Sequence, residues 1–124
     1  MVEEKEEKIV IFATHGAEDP DRATIPFVIA NVALAMKTKV VVVLQSTGVT
    51  LATTGMYEHI FASGFDPLSK LVGSFIELGG TVLVCIPCIE QRKITPDRLI
   101  KGAQTVKPTR VVEEMLSANA VLSY

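Results

Sequence analysis

Three runs of β-branched and aliphatic residues constrain this chain more than anything else in it. They are Ile9-Val10-Ile11-Phe12-Ala13, Val40-Val41-Val42-Val43-Leu44 and Thr81-Val82-Leu83-Val84. None of them alternates polar with apolar residues. A strand with one wet face does alternate, so these runs read as strands covered on both faces, the habit of parallel sheets. Between the runs the apolar period lengthens to that of a helix. Leu68, Leu71, Val72, Phe75 and Ile76 form one stripe that can lie against a sheet. Asp66-Pro67 offers that helix a capping side chain and a first-turn proline, and Gly79-Gly80 offers a left-handed stop.

The remaining segments fit the same plan. Residues 22–36 read as a helix capped by Asp19 or Asp21, in which Pro26 fits only in the first turn. That helix is apolar almost all round, which implies burial against the sheet on one side and a subunit contact on the other. Residues 46–55, rich in Thr and Gly, read as a loop: a lid, an interface segment, or a set of hydroxyls for an oxyanion. Residues 56–62 read as a short helix carrying Tyr57, Glu58 and His59. Thr95-Pro96 opens another short helix, and residues 103–106 suit a fourth strand. Residues 108–117 suit a helix with Val111, Val112, Met115 and Leu116 inward, and residues 120–123 a fifth strand.

Strand and helix alternate throughout. The pattern predicts a single three-layer α/β/α domain over residues 9–124, with a mainly parallel five-stranded sheet, flavodoxin-like in general layout. Residues 1–8, dominated by Glu and Lys, read as a flexible charged leader. In such sheets ligands bind outside the carboxyl ends of the strands. The loops that begin at Thr14, Ser46 and Cys85 leave the three apolar strands there, so they are expected to meet on one rim.

Charge and length narrow the function. A net charge of −2, from 12 basic and 14 acidic residues, gives no reason to expect nucleic acid. The first apolar run is strand-sized rather than a secretory signal, and no run reaches the ~20 apolar residues that cross a bilayer. No membrane partner and a cytoplasmic location are therefore expected. There thiols stay reduced, and a CxxC is catalytic, redox-active or metal-binding rather than a structural staple.

Cys85-Ile86-Pro87-Cys88 is such a motif, at the exit of the third strand. Residues 89–93 would form one or two helical turns. Unpaired amides and the positive end of the helix dipole would then favour a thiolate. Four readings stand. Two small buried apolar residues are one, although Pro87 between them marks a turn. A metal site needs about four ligands, and Cys85, Cys88, His15 and His59 are the whole cysteine and histidine stock, so no metal is expected. A dithiol redox couple is the third reading. It resembles the thioredoxin signature, but it follows the third strand and no Trp precedes it. The fourth is a persulfide carrier. Neither GxxxxGK[ST] nor GxGxxG occurs, and no cofactor is expected.

Over about residues 8–124 the chain resembles the DsrE/DsrF-like family of small sulfurtransferase and sulfur-carrier proteins. The resemblance is carried by the opening strand and long apolar helix, by the helix that ends in Gly79-Gly80, and by the stretch from Thr81 through Cys85 to Ile94. The closing helix and strand add to it. It implies a DsrEFH-like fold in which Cys85 is the sulfur-bearing residue, with Cys88 where some members carry a second cysteine. It also implies dimers, trimers or hexamers, and a partner that is another sulfur-carrier or thiol protein. Relatives often have a glycine where this chain has Lys93.

On that reading Cys85 attacks a donor sulfur, and Cys88 resolves it as an internal disulfide or holds the sulfur in turn. Amides of residues 88–90 and the guanidinium of Arg92, four residues after Cys88, would stabilise the anion. Small inorganic sulfur anions are possible donors. His15 and His59 are weaker candidates for substrate contact or proton transfer. The alternatives are a CxxC thiol–disulfide oxidoreductase and a non-catalytic oligomeric binding domain.

Overall fold

The structure is a computed structural model that describes residues 6–124. Its elements run β1 (Lys8–Ala13), α1 (Pro20–Ala35), β2 (Lys39–Leu44), a 3₁₀-helix Ser46–Ala52, a 3₁₀ turn Tyr57–His59, α2 (Leu68–Glu77) and β3 (Thr81–Cys85). Then follow α3 (Ile86–Gln91), a 3₁₀ turn Pro96–Arg98, β4 (Ala103–Val106), α4 (Pro108–Leu116) and β5 (Ala120–Ser123). The five strands form one sheet in the order β4-β3-β2-β1-β5, and every pairing is parallel. This is the expected α/β fold. Its strand order is not the 2-1-3-4-5 of flavodoxin-like sheets.

The missing polar alternation now has its cause. Ile11, Ala13, Val42, Leu44, Val82 and Val84 face one helical layer and are buried with Phe27 and Phe75. Their neighbours Val10, Val41, Val43 and Leu83 face the other side, under Val111 and Met115 of α4. Both faces are covered, so each strand must be apolar throughout. Helices α1 and α2 are held together by an edge-to-face contact of Phe27 with Phe75, centroids 5.7 Å apart. Asn31 Nδ2 also donates to the Leu71 carbonyl at 3.0 Å.

Several expectations need correction. Of the charged leader, residues 1–5 lie outside the described residues, and Glu6 and Glu7 are exposed. Lys8, however, is the first residue of β1. Its ammonium lies 2.5 Å from Glu114 Oε2 and 2.6 Å from the Ser117 hydroxyl, which ties the strand to α4. Burial pushes the Glu114 carboxyl up, but Lys8 and Arg110 outweigh it and hold the group below its ordinary range. The solubility of a Lys side chain misled here, because its stem can be buried while its head finds a partner.

Asp19 does cap α1, accepting from Arg22 N at 3.1 Å. The first-turn proline of α1 is Pro20, whereas Pro26 lies inside the helix and is buried. There it cannot donate to the carbonyl four residues back, so the core position outweighs the lost bond. Asp66 does not cap α2: Pro67 is the cap residue, and Asp66 makes only a 3.8 Å ion pair with Lys70. On α4, Val111 is buried and Met115 packs inward, but Val112 and Leu116 are exposed, Leu116 at 83%. Nine residues of helix cover less sheet than the sequence pattern allowed. The four residues of β5 are exposed as well, and so are Val32 and Met36 at the end of α1. Residues 46–55 are not a lid. Gly48, Val49, Leu51 and Ala52 are buried in a 3₁₀-helix that packs into the main core.

Candidate functional site

Because all strands are parallel, β1, β2 and β3 end on the same edge of the sheet. The three loops that leave them do meet. Gln45 N donates to the Ala13 carbonyl at 3.1 Å, and the Thr47 hydroxyl oxygen lies 3.2 Å from the Thr14 carbonyl oxygen. Ser46 N donates to Cys88 Sγ at 3.3 Å. The rim is therefore one connected structure rather than three separate loops.

Cys85 is the last residue of β3 and the N-cap of α3, and Pro87 sits in that helix's first turn, where a missing N–H costs nothing. One helical turn brings Cys88 back over Cys85. Both thiols are free and half-buried, with sulfurs 2.8 Å apart, close enough for one S–H to bridge them. Burial pushes the Cys85 thiol up from its ordinary range, and the Cys88 sulfur pushes it further. The Cys88 amide and the Arg92 charge oppose that shift without reversing it. Contrary to the expectation from sequence, the helix mouth does not favour a Cys85 thiolate. α3 has six residues and a short dipole, and desolvation of the strand end outweighs it.

A backbone N–H meets the Cys88 sulfur instead, with Arg92 close by. Ser46 aims its N–H at that sulfur. Arg92 reaches the Cys88 carbonyl with Nη1 at 3.2 Å and the Ser46 hydroxyl with Nη2 at 3.4 Å. Ser46 has φ +54, the left-handed region in which a side chain costs about 1–2 kcal/mol. The strain falls on the residue whose amide faces the Cys88 sulfur. Nothing in the sequence marks Ser46, because a φ angle is set by what the chain must reach.

Lys93 is a second strained position, at φ +55. Its N–H donates to the Glu90 carbonyl at 3.0 Å, and Ile94 N donates to the Ile89 carbonyl at 2.9 Å. This is a Schellman closure, with Ile89 and Ile94 both in the core cluster. It explains why a glycine suits this place. Lys93→Gly is expected to stabilise the fold by about 0.5–1 kcal/mol, strain relief less the extra entropy of glycine. Chemical denaturation measures it, and a lower midpoint would refute the strain at this position.

His15 Nδ1 is 3.2 Å from the Thr14 hydroxyl, and His59 stands exposed on the wall of a neighbouring cavity. That cavity, about 350 Å³, is also lined by Ala17, Glu18, Thr47, Met56 and Ile60. Glu18 accepts from Gly16 N at 2.9 Å and from the Thr47 hydroxyl. Burial raises its carboxyl, but those donors and the nearby His15 together outweigh it and hold the group below its ordinary range. Sequence reasoning passed over Glu18 and Thr47, since only the fold puts them together. Among the described residues, no three side chains drawn from His, Cys, Asp and Glu form a group that could hold a metal ion. Among the same residues, no helix is long and apolar enough to cross a membrane.

Comparison with known proteins places the chain in a family and its fold among solved structures. The sequence model of the DsrE/DsrF-like family matches residues 7–124. The uncharacterized protein MJ0760 of Methanocaldococcus jannaschii is 31% identical over an alignment of 108 residues that covers 81% of this chain. The chain spans only 39% of that relative's length. Among solved structures, the ychN protein from E. coli superimposes with a TM-score of 0.81 at 20% identity, covering 95% of this chain and 99% of that one. MTH1491 from Methanobacterium thermoautotrophicum, described as a protein of unknown function, superimposes at 0.68 with 16% identity, covering 94% of this chain and 99% of its own. At those identities the structural likeness speaks for the fold alone.

Proposed function

Because the chain belongs to the DsrE/DsrF-like family, we propose that it is a sulfur carrier or sulfurtransferase that loads sulfane sulfur on its cysteine pair and hands it to a partner thiol. One observation carries this reading. Ser46 N–H points at Cys88 Sγ, while Cys85 Sγ lies 2.8 Å from the same sulfur. A site that offers an N–H to one sulfur and keeps a second in reach suits sulfur exchange.

The steps balance without an added oxidant. The Cys88 thiolate attacks the outer sulfur of a donor persulfide, R–S–SH. A Cys88–S bond forms, the donor S–S bond breaks, and RS⁻ leaves with the electron pair. The product is Cys88–S–SH. Cys85, after losing its proton to the departing RS⁻, has two choices. Attack on the outer sulfur moves the load to Cys85, the position that the family resemblance marks, and restores the Cys88 thiolate. Attack on the inner sulfur closes a Cys85–Cys88 disulfide and expels HS⁻. Arg92 and the Ser46 amide stabilise whichever anion rests on Cys88.

Reduced protein treated with inorganic polysulfide should gain mass by whole sulfur atoms, lost again on adding dithiothreitol. If the folded thiols take up no sulfur and react only after denaturation, the reading falls. The 2.8 Å separation also supports a second reading, a thiol–disulfide oxidoreductase. A stable internal disulfide that turns over insulin, with no sulfur taken up, would favour it.

A further inference from the structure

The residue whose amide meets Cys88 is held from the neighbouring strand and the loop that follows it. Ser46 sits at φ +54, and such a conformation persists only where its surroundings over-determine it. On its upstream side, Gln45 N is tied to the Ala13 carbonyl at 3.1 Å. On its downstream side, the Thr47 hydroxyl donates to Glu18 Oε1. Glu18 is fixed in turn, with Gly16 N 2.9 and 3.0 Å from its two carboxylate oxygens. We propose that Glu18 is a positioning residue: through Thr47 it holds Ser46 in its left-handed turn and so keeps the Ser46 amide on Cys88. This deepens the proposed function by naming what governs the attacking sulfur, and it rests on that reading for the sulfur's role.

Three observations support it. The strained rotation is about the bond from Ser46 N to its Cα, so it lasts only while the chain on both sides of that bond is held. The downstream hold has a charged acceptor, and such hydrogen bonds are roughly twice as strong as neutral ones. Without Glu18 the Thr47 hydroxyl has only the neutral Thr14 carbonyl, 3.2 Å away, to turn to. The contact being protected is weak, an N–H to a sulfur at 3.3 Å, and does not fix the turn by itself.

The sign of the effect separates positioning from the other things a carboxylate does. Its negative charge disfavours a thiolate, so removing that charge alone would speed Cys88. A merely loosened loop would expose the thiol and speed it as well. Loss of positioning slows it.

The test follows alkylation of Cys88 by iodoacetamide across pH, by timed intact mass. The full-length chain carries Cys85→Ser, so that one thiol remains. Glu18→Ala and Thr47→Val should each slow the reaction at pH 7 by roughly three- to tenfold, the scale of one hydrogen bond to the sulfur. The pH profile should move to higher pH in both. Thr47→Ser, which keeps the hydroxyl, should react at the parent rate. Glu18→Ala added to Thr47→Val should change little further, since the two act through one bond. Alkylation that is unchanged or faster in either variant, slowing that adds in the double variant, or a Thr47→Ser as slow as Thr47→Val overturns the positioning role. Polysulfide loading of the unsubstituted chain is scored separately. Its failure beside the expected alkylation pattern overturns the carrier reading and leaves the hold on Ser46 standing.

Discussion

Cys88→Ser is expected to slow sulfur loading at pH 7 by at least about tenfold, because exchange rate follows the thiolate fraction of the attacking sulfur. The thiol left behind is Cys85, which burial holds above its ordinary range. With its pKa raised, less of that sulfur is ionised at pH 7 than of an ordinary cysteine. Removing Cys88 relieves the push from its sulfur, the second cause of the shift, but leaves the first. A thiol whose pKa is raised gains thiolate only as pH climbs past the usual cysteine range. Loading of Cys88→Ser should therefore still be rising at pH 9. Cys85→Ser keeps the sulfur that the Ser46 amide meets, so it should load near the wild-type rate. It loses the second site and cannot close a disulfide. Time courses of intact mass decide between the variants. The reverse pattern, with Cys85→Ser inert and Cys88→Ser loading normally, would mean that sulfur enters directly at Cys85.

Gly48→Ala should have the largest effect on folding. A Cβ at that position would lie 1.9 Å from the Ala13 carbonyl oxygen and 2.7 Å from its carbon. These are backbone atoms at the end of a central strand, so they cannot swing aside as a flexible side chain would. The 3₁₀-helix Ser46–Ala52 must lift off β1 instead. A displacement of that kind costs about 3 kcal/mol, the upper part of the range for overpacking. It would also withdraw the Ser46 amide from Cys88, so loading should fall together with stability. Gly73→Ala serves as the control, since nothing lies within 4 Å of its Cβ position and it sits inside α2. There alanine should add about 0.5–1 kcal/mol by helix propensity alone. Denaturant midpoints measure both. An unchanged midpoint for Gly48→Ala would show that this close approach is not needed.

The elements most legible in the sequence were those whose residue types answer to local or bulk chemistry. Val40 to Leu44 could only be a doubly covered strand, and Leu68 to Ile76 could only be a one-faced helix. Asp19 announced its cap through a short polar side chain ahead of an apolar run. Misreadings arose where a residue's role depended on a partner far along the chain. Lys8 looked like solvated leader until Glu114 and Ser117, over a hundred residues on, closed around it. Leu116 looked like core until the short α4 proved to leave it outside.

At the site the division is sharper. Chain order and residue chemistry by themselves placed two thiols one helical turn apart at a strand exit, with Arg92 a further turn on, because strand, turn and helix are spacings along one backbone. Which sulfur burial disfavours as a thiolate was decided only in three dimensions. Desolvation depends on what covers Cys85, and the amide that meets Cys88 comes from Ser46, 42 residues away on another loop. Electric fields and burial are properties of neighbours in space, and a linear sequence does not say who those neighbours are.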